Sequence, residues 1–129
     1  MPEKTIAREL TAKAQLDLNT VSELLSKSDL HLIGKEIIGF HLQQAVEKST
    51  KSLLAWNDIV YEYNHNLKNL FKLVNARLSP IPPRFKPLLR LTPYATGLRY
   101  VAMVSPELFD CEAMLVLASD YMDWIASMM

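Results

Sequence analysis

Apolar residues recur at spacings of three and four over most of the first 78 positions, a rhythm that predicts helices. Over residues 4–27 they are Ile6, Leu10, Ala14, Leu18, Val21, Leu24 and Leu25, one stripe on one helix. Lys27-Ser28-Asp29 breaks the stripe, and Ser28 or Asp29 supplies a cap for the next element. Residues 30–56 read as a second helix, on the order of 40 Å long at about 1.5 Å per residue. Ile38, Leu42, Ala45, Val46, Ser49 and Leu53 define its apolar face, and Ile33, Ile37 and Phe40 widen that face. Such width is expected of the central helix of a bundle. Asn57-Asp58 is a stop signal, and Tyr61, Tyr63 and His65 fall in a connection. Residues 66–78 form a third helix, with Leu67, Leu70, Phe71, Val74 and Leu78 on one side.

The rhythm then changes. Six of the seven prolines fall between 80 and 106, and four of them lie in SPIPPRFKP, residues 79–87. That density excludes a continuous helix or a central strand and predicts a loop. Too little chain follows to build a second core, so one domain over 1–129 is expected. LLRLTPYATGLRY holds a short helix, with Pro93 near its first turn or at a break. Ser105-Pro106-Glu107 is a helix start, with Ser at the cap and Pro in the first turn. The last helix is expected from about 106 to 127, with Leu108, Met114, Leu115, Leu117, Ala118, Met122 and Ile125 in the core. No run alternates with period two, so no sheet is expected. The predicted architecture is all-α: an antiparallel up-and-down bundle of four main helices plus one short helix.

Composition agrees with a packed domain. Half the residues are hydrophobic and 22% are charged. The single cysteine, Cys111, excludes an internal disulfide and reads as a structural, partly buried thiol. No signal-type run opens the chain and no stretch approaches the roughly 20 apolar residues of a membrane span. A soluble, cytoplasmic chain with no membrane partner is therefore expected.

The net charge of zero conceals segregation. Residues 63–99 carry Lys68, Lys72, Arg77, Arg84, Lys86, Arg90 and Arg99 with no acid, while residues 100–129 carry five acids and no base. The two segments either form a local anion-binding surface or neutralise one another, within the fold or across a dimer.

The densest chemistry lies in FHLQQAVEKSTKSLLAW, residues 40–56. At about 100° per residue, Ile37, His41, Gln44, Lys48 and Lys51 share a stripe, with Glu47 beside it. Two ammonium groups, an amide and an imidazole suit a phosphate or a nucleobase. By spacing alone the same stripe is better explained as the solvated side of a core helix.

The run resembles the helix-two signature of the HEPN domains (higher eukaryote and prokaryote nucleotide-binding), F-H-x-Q-Q-A-x-E-K-x-x-K-x-L-L-A. AKAQLDLNTVSELL is similar to the family's first helix, YNHNLKNL to its tyrosine and H-x-L, YATGLRY to its R-Y segment, and MLVLASDYMDWI to its last helix. The resemblance implies a helical bundle that commonly forms a homodimer. It also implies association with a minimal nucleotidyltransferase, often as a toxin–antitoxin module, and a nucleotide or RNA ligand. The residues it marks for nucleotide or partner binding are His41, Gln44, Glu47, Lys48, Lys51, His65, Tyr94, Arg99 and Tyr100.

Many HEPN proteins are metal-independent ribonucleases with an Arg followed by four to six residues and a late His. Here His31, His41 and His65 are the only histidines, and none follows an arginine at that spacing. Arg99-Tyr100 is followed by Val101-Ala102 rather than by Pro and an acid. No catalytic residue is carried over; a ribonuclease would need a displaced histidine, His41 or His65. No phosphate-binding glycine loop and no nucleophile-elbow motif occurs, and neither cofactor nor metal is expected. The bland alternatives are specific. Arg99 pairs with Glu107, Asp110 or Glu112, His65 bonds the backbone at its turn, and the Tyr121–Met129 cluster is core or dimer contact.

Overall fold

Helix α2 (Leu32–Trp56) packs against every other described element, which is why its apolar surface is so wide. The computed structural model describes residues 2–27, 32–62, 66–97 and 110–129. Ile38, Leu42, Ala45, Val46, Leu53 and Leu54 of α2 are fully buried. Each large one contributes about 1.5–3 kcal/mol of burial free energy. The helix ends at the expected Asn57-Asp58. Asp58 adopts a left-handed φ of 57°, Ile59 N–H reaches back to Leu54 O at 2.9 Å, and Asp58 N–H reaches Ala55 O at 3.1 Å. This paired closure satisfies two end carbonyls.

Helix α1 (Pro2–Leu25) runs antiparallel to α2. Ser52 donates to the Ala7 carbonyl at 2.9 Å and lies 2.6 Å from Thr11 Oγ1, whereas Asp17 reaches His41 and Lys48. Its buried positions are Ala7, Ala14, Asp17, Leu18 and Val21. Ile6, expected in the core, is instead 48% exposed. Lys4 and Arg8 lie over the Trp56 ring, at 4.4 and 5.8 Å from its centroid. Two residues from each on the helix, Ile6 falls on the opposite side.

Helix α3 (Leu67–Arg77) is capped by Asn66, whose side chain accepts from Lys68 N–H at 2.9 Å. Leu67, Leu70, Phe71 and Val74 are buried, as their spacing predicts. The proline-rich segment, expected as a loop, contains a 3-10 helix over Pro83–Leu91. Pro83 sits at its start, where a missing N–H costs nothing, and Phe85, Leu88 and Leu91 are buried at three-residue intervals. Three residues per turn is the 3-10 period, so this sequence has a helical rhythm that a search at 3.6 misses. Asn75 accepts from Ile81 N–H at 2.7 Å and ties the segment to α3. A break at Thr92-Pro93 precedes the short helix α4 (Tyr94–Gly97).

The last helix, α5 (Cys111–Ser127), starts later than 106. Asp110 is extended and its carboxylate accepts from Ala113 N–H at 3.0 Å, a cap that ends any continuous helix through it. The expected start at Ser105-Pro106, and Leu108, lie outside the described residues. Met114, Ala118, Tyr121 and Ile125 are buried at one face. Leu115, Val116 and Ser119 face Leu18, Asn19 and Ser22 across a shared hollow, while Met129 meets Ser52 near Ala7, so α5 is antiparallel to α1. Tyr121 joins the layers: its ring meets Phe71 at 5.4 Å and Phe85 at 5.2 Å, and its hydroxyl lies 2.6 Å from Thr50 Oγ1. The fold is an all-α antiparallel bundle, with no strand among the described residues. None of the described helices is long and apolar enough to cross a membrane.

Candidate functional site

The polar residues of α2 resolve into two networks. In the first, Asp17 of α1 holds two residues of α2: Oδ1 lies 2.8 Å from His41 Nδ1, and Oδ2 accepts from Lys48 Nζ at 2.8 Å. An ionised carboxylate only accepts, so the shared proton of the first bond sits on Nδ1. The His41 and Lys48 side chains are each 26% exposed, whereas Asp17 is 10% exposed. Nε2 of His41 and the remaining ammonium protons of Lys48 have no protein partner among the described residues. The ring of Phe40 stands edge-on to His41 at 5.2 Å.

The second network is internal. Gln44 donates to Gln43 Oε1 at 2.7 Å, Gln43 donates to Glu47 Oε1 at 2.7 Å, and Lys51 donates to Glu47 Oε2 at 2.9 Å. The Lys51 ammonium also lies 5.6 Å from the Tyr61 ring centroid. Gln43 is fully buried, Glu47 is 4% exposed and Lys51 9%. This half of the stripe is therefore not a solvated face. Buried charges demand partners, and here they have them.

Of the residues marked in the sequence, His41 and Lys48 are joined by Asp17 at a partly exposed edge of α2, and Gln44, also partly exposed, lies between them on the helix while donating to Gln43. Glu47 and Lys51 lie next to them, buried. Tyr94 is also buried; its ring packs so closely on Gly39 that a Cβ there would lie 2.6 Å from it. His65, Arg99 and Tyr100 lie outside the described residues. Asp17, Gln43 and Glu36 were not singled out. A signal for Asp17 existed: it sits among Ala14, Leu18 and Val21 on the stripe that α1 buries, and a buried acid needs a cation. Glu36 is 1% exposed, and its Oε2 has no hydrogen-bond partner among the described residues.

A family profile described as HEPN domain matches residues 7–128, nearly the whole chain. The chain belongs to the HEPN domain family. Comparisons with curated proteins and with solved structures give no match. Membership places this HEPN chain in a nucleotide- and RNA-related family. Chemically, its α2 edge offers an imidazole whose Nε2 accepts a hydrogen bond or a proton when the ring is neutral, and an ammonium with spare donors for an anion. The Asp17 carboxylate fixes both groups in place. No group of three or more His, Cys, Asp or Glu side chains among the described residues is arranged to hold a metal ion.

Proposed function

We propose that this HEPN domain binds a nucleotide, or a phosphate of RNA, at the edge formed by His41, Gln44 and Lys48. One observation carries the reading: Asp17 fixes His41 and Lys48 while leaving an acceptor nitrogen and ammonium donors available at a half-exposed surface. A fixed donor–acceptor pair loses little side-chain entropy when it engages a ligand. The test is NMR titration with AMP, ATP and GTP. Saturable shifts of the α2 amides around 41–48, abolished by His41→Ala with Lys48→Ala, are expected. Unmoved α2 amides, or binding intact in the double variant, defeat the reading.

A second reading is that of an interaction module: partner of a minimal nucleotidyltransferase in a toxin–antitoxin-type pair, and a homodimer. Its support is exposed apolar surface. Val60 is 89% exposed at a hollow of about 510 Å³ that Tyr61, Leu70 and Leu73 also line. Co-expression with such an enzyme and sedimentation of the dilute protein test it; a monomer that captures nothing removes it. The remaining reading is a ribonuclease with His41 as displaced base. Metal-free RNA cleavage lost in His41→Ala would favour it over binding alone.

A further inference from the structure

The basic segment that the site above does not use forms a groove of its own. Between α3 and the 3-10 helix lies a hollow of about 240 Å³. Phe71, Ile81, Pro82, Pro83 and Leu89 wall it, and Lys68, Lys72 and Lys86 stand around it. All three lysines are exposed and make no ion pair among the described residues. Lys68 and Lys72 are four apart on α3, where like charges repel. Among the described residues, no carboxylate lines the groove. The Asn75 side chain, which could otherwise recognise a ligand, is engaged by Ile81 N–H at 2.7 Å. The groove is thus an apolar slot with an uncompensated positive rim, held in shape by prolines of fixed φ.

We infer that this groove docks a short acidic segment of a partner protein, which seats one apolar side chain in the slot and sets carboxylates against Lys68, Lys72 and Lys86. The volume suits a side-chain anchor and falls below the roughly 300–1,000 Å³ typical of small-molecule sites. Charge complementarity selects an acidic segment. A single nucleic-acid strand fits less well. Strands are gripped by stacking on open aromatic faces and arginine planes, but among the described residues the groove's one aromatic, Phe71, is only 6% exposed and no arginine lines it. The proposal draws on neither His41 nor Lys48.

The test uses fluorescence anisotropy on the full chain with a labelled acidic peptide bearing one central Phe side chain. Binding should weaken with salt. It should fall at least about tenfold in Lys72→Glu with Lys86→Glu, and by as much when the peptide's Phe is replaced by Ser. His41→Ala with Lys48→Ala should leave it unchanged, which separates this groove from the nucleotide reading. Thermal melts establish that the exposed-lysine variant is folded. Absence of peptide binding, or equal binding by the charge-reversed variant, overturns the proposal. So does a uridylate oligonucleotide that binds through these lysines where the peptide does not.

Discussion

Asp17 Oδ1 lies 2.8 Å from His41 Nδ1, across the seam between α1 and α2, while Oδ2 holds Lys48 at the same distance. One carboxylate thereby fixes both groups of the candidate site. Asp17→Asn keeps the shape but replaces one of the two acceptors with an amide that donates. The expected outcome is a loss of about 1.5–3 kcal/mol of stability, the scale for hydrogen bonds to charged groups. In nitrogen-15 NMR the neutral imidazole of the wild type should carry its proton on Nδ1, and the variant should lose that preference. An unchanged tautomer would mean that Asp17 does not orient the ring.

Asp58 occupies a left-handed position at the end of α2, with φ of 57°. For a residue with a Cβ that conformation costs roughly 1–2 kcal/mol, less for Asp, whose short side chain tolerates it. Its N–H donates to Ala55 O, and Gly preserves that bond. Asp58→Gly should therefore be neutral or stabilising by up to about 1 kcal/mol, despite its greater freedom when unfolded. Asp58→Val should be destabilising, because branching at Cβ worsens the same strain. Urea midpoints for the two variants decide it.

Much of this architecture was legible because it rests on a 3.6-residue rhythm. Ile38, Leu42, Ala45, Val46 and Leu53 are buried where the pattern put them, and Asn57-Asp58 ends α2 as read. The 3-10 helix escaped because Phe85, Leu88 and Leu91 repeat every three residues amid prolines that exclude an α-helix. Ile6 escaped because α1 buries the face of Ala7, Ala14, Leu18 and Val21, and the end of the stripe that carries Ile6 lies off that face. At the candidate site, spacing grouped His41, Gln44 and Lys48. It did not separate them from Glu47 and Lys51, because burial depends on which neighbours cover each side of α2. Asp17 went unmarked because its partners are 24 and 31 residues away.

The Tyr121 phenol gives a pH signature. Burial is the main cause that pushes it well above the usual tyrosine range. Thr50 donates its own proton to Val46 O at 2.7 Å, so Tyr121 is the donor in their 2.6 Å bond. An unfolded tyrosine ionises near 10, whereas the folded one keeps its proton. Above that pH the native state binds more protons, so the contribution to stability is present below about 10 and declines as pH rises, by up to about 1.4 kcal/mol per unit. Tyr121→Phe should cost about 0.5–1.5 kcal/mol near neutrality. Its deficit relative to wild type should shrink above pH about 10, as urea unfolding over that range would show. A deficit independent of pH would place the phenol in contact with solvent.

Lys51 and Glu47 form an i, i+4 pair with the acid on the N-terminal side, the favourable order, but both are buried, so solvent does not moderate their separation. Lys51→Met removes the ammonium that pairs with the buried Glu47 carboxylate and should cost about 3–5 kcal/mol. Glu47→Leu removes the carboxylate that pairs with the Lys51 ammonium and should also be costly. Combining the two removes both charges, and the double variant should be markedly more stable than the sum of the single losses implies. The coupling should be of order 1–3 kcal/mol in a double-mutant cycle. The same double variant separates structure from recognition along the stripe. If binding resides at His41 and Lys48, nucleotide-induced shifts near 41–48 should persist in it, because Glu47 and Lys51 serve the interior. If those shifts vanish while the fold survives, the buried half of the stripe reaches the ligand as well.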